Sequence, residues 1–268
     1  MEIKKERTTG ELINDSFAFV LQNFVGLYKP ILLFASPFAL ISAFFYSKLQ
    51  LSDLTKLEYG NNMVNSIIYV SALIAANIFL YGVVYGYVYF YIKEGENKFS
   101  IEDLWSYILH HLSKISGAFI FMIVFIVLGI CLFIIPGIYL LITFLFLIAV
   151  MLFEGLDYQM AFLRCLMIIK GNWWRTFGLF LLIDGIVIVF GLIIKIPEFI
   201  YTILIKTNVL KNVETLPLQF SIVATTTQFL VFFLQVIPLV FVILQYFNIN
   251  ESRIKKEVPK QDEPNSVV

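Results

Sequence analysis

The residues with types suited to chemistry are few, and most of them sit in apolar surroundings. Asp184 lies midway along an otherwise uncharged run from Thr176 to Ile194. An ionised carboxylate at that depth in a bilayer costs about 3 kcal/mol on insertion scales, so it calls for a partner or a purpose. Asn77, Thr143, Gln228 and Gln235 fall near the middle of other apolar runs, the two glutamines a heptad apart. Together with Asp184 they compose a candidate intramembrane polar layer. Such a layer either lines a proton or solute path or, structurally, fixes helix register through hydrogen bonds. His110 and His111 are the two histidines. Adjacent helical residues point about 100° apart and no ligand stands at the spacing of a zinc helix, so no metal site is expected. Cys131 and Cys165 lack any CxxC or His spacing and read as reduced, structural thiols. No GxSxG, phosphate loop, HExxH or acidic metal cluster occurs. The expectation is a non-catalytic chain without cofactor.

Composition names the solvent. Of 268 residues 60% are hydrophobic and 14% charged, against about 25% charged in a soluble domain. Net charge is zero and no basic stripe appears, which excludes nucleic acid as a partner and leaves membrane lipids. The stretch from Ile115 to Phe153 is uncharged and broken only by Pro136-Gly137. About 20 apolar residues at 1.5 Å each match the hydrocarbon thickness, so the spacing predicts a transmembrane hairpin with a turn at Pro-Gly. Proline would remove a donor there and glycine would admit positive φ.

Taken along the chain, the fold class is all-α: a polytopic membrane helical bundle of six transmembrane helices with amphipathic surface helices on the cytosolic side. The spans are expected at about 31–47, 64–92, 115–135, 138–153, 176–194 and 220–247, within one domain covering 1–250. Thr8-x-x-Glu11 is a capping box that starts a surface helix, which Lys29-Pro30 should end. Pro37 and Pro238 should kink the first and last spans. Tyr87, Tyr89 and Tyr91 suit an interface belt, and Gly82-x-x-x-Gly86 offers a face for close helix approach. Lys56, Glu58 and Gly60-Asn61-Asn62 mark a loop, 206–217 a polar linker, and 251–268 a disordered cytoplasmic tail. Ser100-x-x-Asp103 starts a second surface helix. Asp157 to Lys170 makes a third, with Met160, Leu163, Met167 and Phe162, Leu166, Ile169 as adjoining apolar rows and Arg164 as its main exposed charge. Three times a surface helix leads into a pair of spans, which suggests three variations on one unit. The alternative is similar hydropathy without common geometry.

Six spans would leave five of the nineteen Lys and Arg on one side (Lys48, Lys56, Lys195, Lys206, Lys211) and the other fourteen on the side of both termini. The positive-inside rule therefore puts both ends in the cytoplasm. Met1 to Gly10 has no apolar core of a removable signal peptide.

The stretch Pro136-Gly137-Ile138-Tyr139, then Glu154-Gly155, Arg164 and Lys170-Gly171-Asn172-Trp173-Trp174 resembles the integral membrane domain found beside some bacterial glycerophosphoryl diester phosphodiesterases and in stand-alone relatives. That family shows a Pro-Gly-Ile-Tyr turn, an acid-Gly pair, an Arg-Ser in an amphipathic helix and a Lys-Gly-Asn-x-Trp before the next span. The match carries Pro136, Gly137, Tyr139, Glu154, Gly155, Arg164, Lys170, Gly171, Asn172 and Trp174 over as motif residues. Cys165 stands where serine is usual, and the fourth span lacks the family's Arg after the Tyr and Pro before the acid. The resemblance implies an inner-membrane location and a fold. Phosphodiesterase activity would belong to a separate barrel of ~250 residues, for which these 268 residues have no room.

Overall fold

The computed structural model describes residues 1–55, 62–95, 99–132, 134–207 and 216–257. They are helical, with no strand among the described residues. The expected features at Lys56, Glu58 and Gly60-Asn61, most of the 206–217 linker and the tail beyond 257 lie outside them.

Helix α1 (Thr9–Gln22) begins at the expected capping box. The Thr8 hydroxyl accepts from the Glu11 amide at 3.3 Å, and the Glu11 carboxylate accepts from the Thr8 amide at 2.8 Å. Its end differs from expectation. The chain bends by 72° at Asn23 into α2 (Phe24–Phe34), and Pro30 lies buried inside α2 instead of ending α1. Asn23 decides the corner because its side chain does two jobs: its amide donates to the Phe19 carbonyl at 2.9 Å and its oxygen accepts from the Tyr87 hydroxyl at 3.1 Å.

After Ala35 comes α3 (Ser36–Thr55), then α4 (Asn62–Glu94). Both α2 and α3 pack along α4, so the apolar run 31–47 crosses their joint. Tyr87 and Tyr91 of α4 are buried against Phe19 and form no belt. Gly86 gives α5 (Ile101–Leu132) its close approach: an added Cβ would stand 2.7 Å from Leu104 Cδ1. The Ser100–Asp103 box starts α5, which runs unbroken through Lys114.

The expected hairpin forms between α5 and α6 (Ile134–Phe144), but Pro136-Gly137 is not its reversing turn. Both residues are helical, and Gly137 is not among the positive-φ glycines, which are Gly95, Gly155 and Gly171. Gly137 serves close packing instead. A Cβ there would meet the Ile130 backbone nitrogen at 2.9 Å, and one on Gly129 would meet Gly137 Cα at 2.9 Å. The chain continues through α7 (Leu147–Phe153), α8 (Tyr158–Ile169), α9 (Trp173–Ile194), α10 (Ile196–Lys206), α11 (Leu216–Leu234) and α12 (Val236–Glu257).

One rule covers five of the prolines. Pro37, Pro136, Pro197, Pro217 and Pro238 each stand in the first turn of a new helix. There the missing N–H had no intrahelical partner to lose. The kinks expected at Pro37 and Pro238 are thereby realised as breaks at Ala35 and Gln235, two and three residues earlier.

Five helical stretches are long and apolar enough to cross a bilayer: Asn62–Glu94, Ile101–Cys131, Ile135–Phe153, Trp173–Ile194 and Pro217–Lys255, with a sixth if α1 and α2 count as one bent span. Their outward faces are apolar. Leu128 on α5 and Val189 on α9 are more than half exposed, an inside-out surface that only hydrocarbon solvates. The core is α12, buried almost without interruption from Leu239 to Ile249 against α1, α4 and α9.

Gln245 and Asn248 of α12 are satisfied by a relay. The Arg7 amide donates to Asn248 at 2.7 Å, Asn248 to Gln245 at 3.0 Å, and Gln245 to the Thr176 hydroxyl at 3.1 Å. The Arg7 side chain is fully buried, with Nε on Asp15 at 2.9 Å. The stretch from 251 is helical as far as Glu257, contrary to the disorder expected there. Its registry is fixed by Arg253, which donates to the Ile168 carbonyl at 3.0 Å, and by Lys255, which pairs with Glu6 at 3.0 Å. Both terminal segments therefore meet at one pole of the bundle.

Because backbone stands where a side chain would go, Gly137→Val should cost about 1–3 kcal/mol of overpacking and lower the melting temperature of the detergent-solubilised protein. Gly178→Ala, with nothing within 4 Å of its Cβ position, should melt with wild type.

Candidate functional site

The joint between α7 and α8 builds the site. Glu154 ends α7, and Gly155, at φ +72°, turns the chain into α8. This leaves Glu154 beneath Arg164, two turns into α8. Arg164 Nε reaches both Glu154 oxygens, at 3.1 and 2.9 Å, and the Tyr246 hydroxyl donates to the first at 2.8 Å. Arg164 is thus a paired, partly buried residue and not a free surface charge. The far end of α8 is held as firmly: Gly171, at φ +81°, breaks it, and Arg253 donates to the carbonyls of Met167, Ile168 and Lys170. A cation on the last carbonyls of a helix also favours its dipole. Tyr246 and Arg253 both belong to α12, so α12 holds the end of α8 directly through Arg253 and its Arg164 indirectly through Glu154.

Between α8, the end of α4 and the end of α12 lies a cleft of about 710 Å³, a ligand-sized volume. Its floor is aromatic, with Phe153, Tyr246 and Phe247. Four cations line it (Lys4, Lys93, Arg164, Arg253) against two carboxylates, Glu154 and Glu251. Lys4 stands 5.9 Å above the Phe247 ring and Lys93 5.9 Å above the Tyr89 ring. Neither lysine has a carboxylate partner among the described residues.

The motif residues divide among this joint, the α8–α9 corner and α6. Besides Glu154, Gly155 and Arg164, Lys170 and Asn172 flank Gly171 at the α8–α9 corner, where the Asn172 amide donates to the Ile169 carbonyl at 2.9 Å. Tyr139 stacks on Trp173 with ring centroids 5.8 Å apart, and Trp173 Nε1 donates to the Tyr139 carbonyl. Trp174 is 78% exposed, so Trp173 does the packing and Trp174 faces outward. Pro136 and Gly137 lie at the other end of α6, in the α5–α6 contact. The expected apolar rows of α8 also divide: Met160, Leu163 and Met167 are more than half exposed, while Ala161, Cys165, Ile168 and Ile169 are buried.

The candidate polar layer does not assemble, since none of its five members hydrogen-bonds another. Asn77 donates to the Leu73 carbonyl on its own helix at 2.8 Å, and Thr143 to the Tyr139 carbonyl at 2.7 Å. Both are helical back-bonds that satisfy a lone polar group where it stands. Asp184, half-buried on α9, has no hydrogen-bond or ion-pair partner among the described residues, and Gln228 and Gln235 make no side-chain bond to the others. Rings of His110 and His111 meet edge to face at 4.9 Å, with His111 Nδ1 on the Tyr107 carbonyl. No group of three or more metal-ligating side chains occurs among the described residues.

Sequence reasoning missed a second charged cluster at the opposite end of α9. Glu198, 7% exposed, accepts from the Thr227 hydroxyl at 2.8 Å and the Tyr46 hydroxyl at 3.2 Å, with Lys195 at 3.8 Å. The signal was the Lys195-x-x-Glu198 spacing beside Pro197. Gln245 and Asn248, three residues apart on α12, were equally visible. No family model, curated protein or solved structure matches this chain.

Two outcomes follow from the strapped helix. Burial, helped by the nearby Glu154 charge, pushes the Cys165 thiol up to about 12, so it stays protonated and inert at neutral pH. In Cys131→Ser, a water-soluble maleimide should leave Cys165 unlabelled at pH 7 and label it after denaturation. Arg164→Ala should cost about 1–2 kcal/mol, read as a lowered melting temperature. Such a loss exceeds that of a surface pair because Glu154 is left partly buried without its cation.

Proposed function

We propose that this chain is a non-catalytic, multi-pass protein of the bacterial inner membrane that serves as a lipid-associated accessory component, with both termini in the cytoplasm. What carries the reading is the cleft: an aromatic floor and a rim of cations at the pole that holds both terminal segments. The bias of Lys and Arg toward that pole supports its cytoplasmic placement, and the anionic inner leaflet attracts such a rim. Binding suits the site better than bond-making. Both oxygens of Glu154 already accept hydrogen bonds, and the Glu154–Arg164–Tyr246 set offers no nucleophile paired with a free base. The likeness to the membrane domain of glycerophosphoryl diester phosphodiesterase-type proteins belongs to this proposal, resting on the motif residues at the α7–α8–α9 joints.

Lipid association is tested by extensive delipidation of the purified protein followed by lipid return. A ligand at 100 times its Kd stabilises by about 2.7 kcal/mol, so readdition should raise the melting temperature by several degrees. Unchanged melting would end the proposal. For the rival transport reading, proteoliposomes should pass protons and small solutes no faster than empty vesicles. Flux present in wild type and lost in Asp184→Asn would replace the accessory role with a transport path.

A further inference from the structure

The chemistry of the cleft narrows what it takes. Of its four cations, Arg164 is held by Glu154 and Arg253 by the carbonyls that end α8. Lys4 and Lys93 remain. Each lies over an aromatic ring, and both line the same space. Four cations against two carboxylates give the cleft a local excess of two positive charges. An ammonium is a compact, strongly hydrated point charge that binds phosphate well. The walls are apolar: Tyr89, Phe153 and Phe247 line the same space.

The setting of α8 then separates a lipid from a soluble anion. Arg164 enters the cleft from a helix whose next-door row, Met160, Leu163 and Met167, is 60%, 52% and 53% exposed. An apolar row that open on a helix too short to span belongs in the plane where headgroups meet acyl chains. Trp174, 78% exposed just after α8, is the residue type of that depth.

We infer that the cleft is a headgroup site for an anionic phospholipid, its phosphate taken by Lys4 and Lys93 and its acyl chains leaving along the exposed row of α8. This rests on the lipid-associated reading above and adds the ligand class and the residues. A net-positive cleft prefers a headgroup of net negative charge over a zwitterionic one, and that preference is set by the two lysines, not by the Glu154–Arg164 pair.

The test uses the full chain in mild detergent, titrated with phosphatidylglycerol, phosphatidylcholine or inorganic phosphate and read by melting temperature and by native mass spectrometry of lipid adducts. Wild type should hold phosphatidylglycerol at least tenfold more tightly than phosphatidylcholine. Lys4→Ala/Lys93→Ala should lose that preference, Lys4→Arg/Lys93→Arg should keep most of it, and Lys255→Ala, a pair outside the cleft, should behave as wild type. If both lipids bind wild type and the double alanine variant alike, the headgroup site is overturned while lipid association stands. If inorganic phosphate binds as tightly as phosphatidylglycerol, the ligand is a soluble anion and the lipid assignment is overturned. If no lipid stabilises wild type, both readings fall together.

Discussion

The bundle is arranged so that α12 can be enclosed by its neighbours while the buried Gln245 and Asn248 still find partners. From Leu239 to Ile249 almost nothing of it is exposed, yet Gln245 and Asn248 stand in that stretch. In hydrocarbon an unsatisfied polar group costs several kcal/mol because no water replaces the lost bond. The relay from Thr176 through Gln245 and Asn248 to the Arg7 backbone meets that cost with one chain of hydrogen bonds. It also couples three distant parts of the sequence, the N-terminal segment, α9 and α12. Arg7, buried against Asp15, closes the relay at the pole where water becomes available.

From that enclosure follow the position and shape of the cleft. Because α12 is fixed, its last turns are a rigid frame: Tyr246 holds Glu154, the partner of Arg164 on α8, and Arg253 holds the last carbonyls of α8. Two of the positive-φ glycines, Gly155 and Gly171, let α8 leave and rejoin the bundle sharply. A helix held at both ends and turned by glycine at both corners stands off from α4, and the cleft is the space left between them. The residues that resemble a family motif are thus mostly residues of corners and straps. Their spacing was set by how α8 must attach, and the cleft inherits its floor from that attachment.

The helical class and the apolar runs were legible because length and lack of charge suffice to identify them. Both capping boxes were legible because their chemistry is local. What was not legible was which side of each helix faces inward. Lipid is as apolar as leucine, so an apolar residue in a span carries no label for core or surface: Ile123 and Ile115 read alike, yet one is 47% exposed and the other 1%. The same blindness explains the polar layer. Depth along a span can be counted from the sequence, but azimuth cannot: Asp184 and Thr143 each fall near the middle of an apolar run, yet no hydrogen bond joins them. Pro136-Gly137 misled for a different reason. Proline and glycine each have two uses, and the sequence does not say whether a glycine is there for its φ or for the absence of a Cβ. Only the packing decides it: a Cβ added to Gly129 would stand 2.9 Å from Gly137 Cα.

The two poles carry the same three chemical parts and differ in access. At one, Glu154 meets a tyrosine hydroxyl and an arginine. At the other, Glu198 meets a tyrosine hydroxyl and a lysine. A carboxylate that accepts from a phenol and a cation is a stable way to end a helix contact near a membrane boundary, whatever its surroundings. The Glu154 side chain is 23% exposed and opens on the cleft, whereas that of Glu198 is 9% exposed and is closed over by Thr227. Since the trio recurs where the side chains are sealed in, it cannot by itself be what makes the first pole a site. What differs is the pair of lysines beside the first trio, which line the cleft without a carboxylate partner among the described residues. On the proposed reading the cleft binds through these two lysines, and the ion pair beneath them is the wall on which they are mounted.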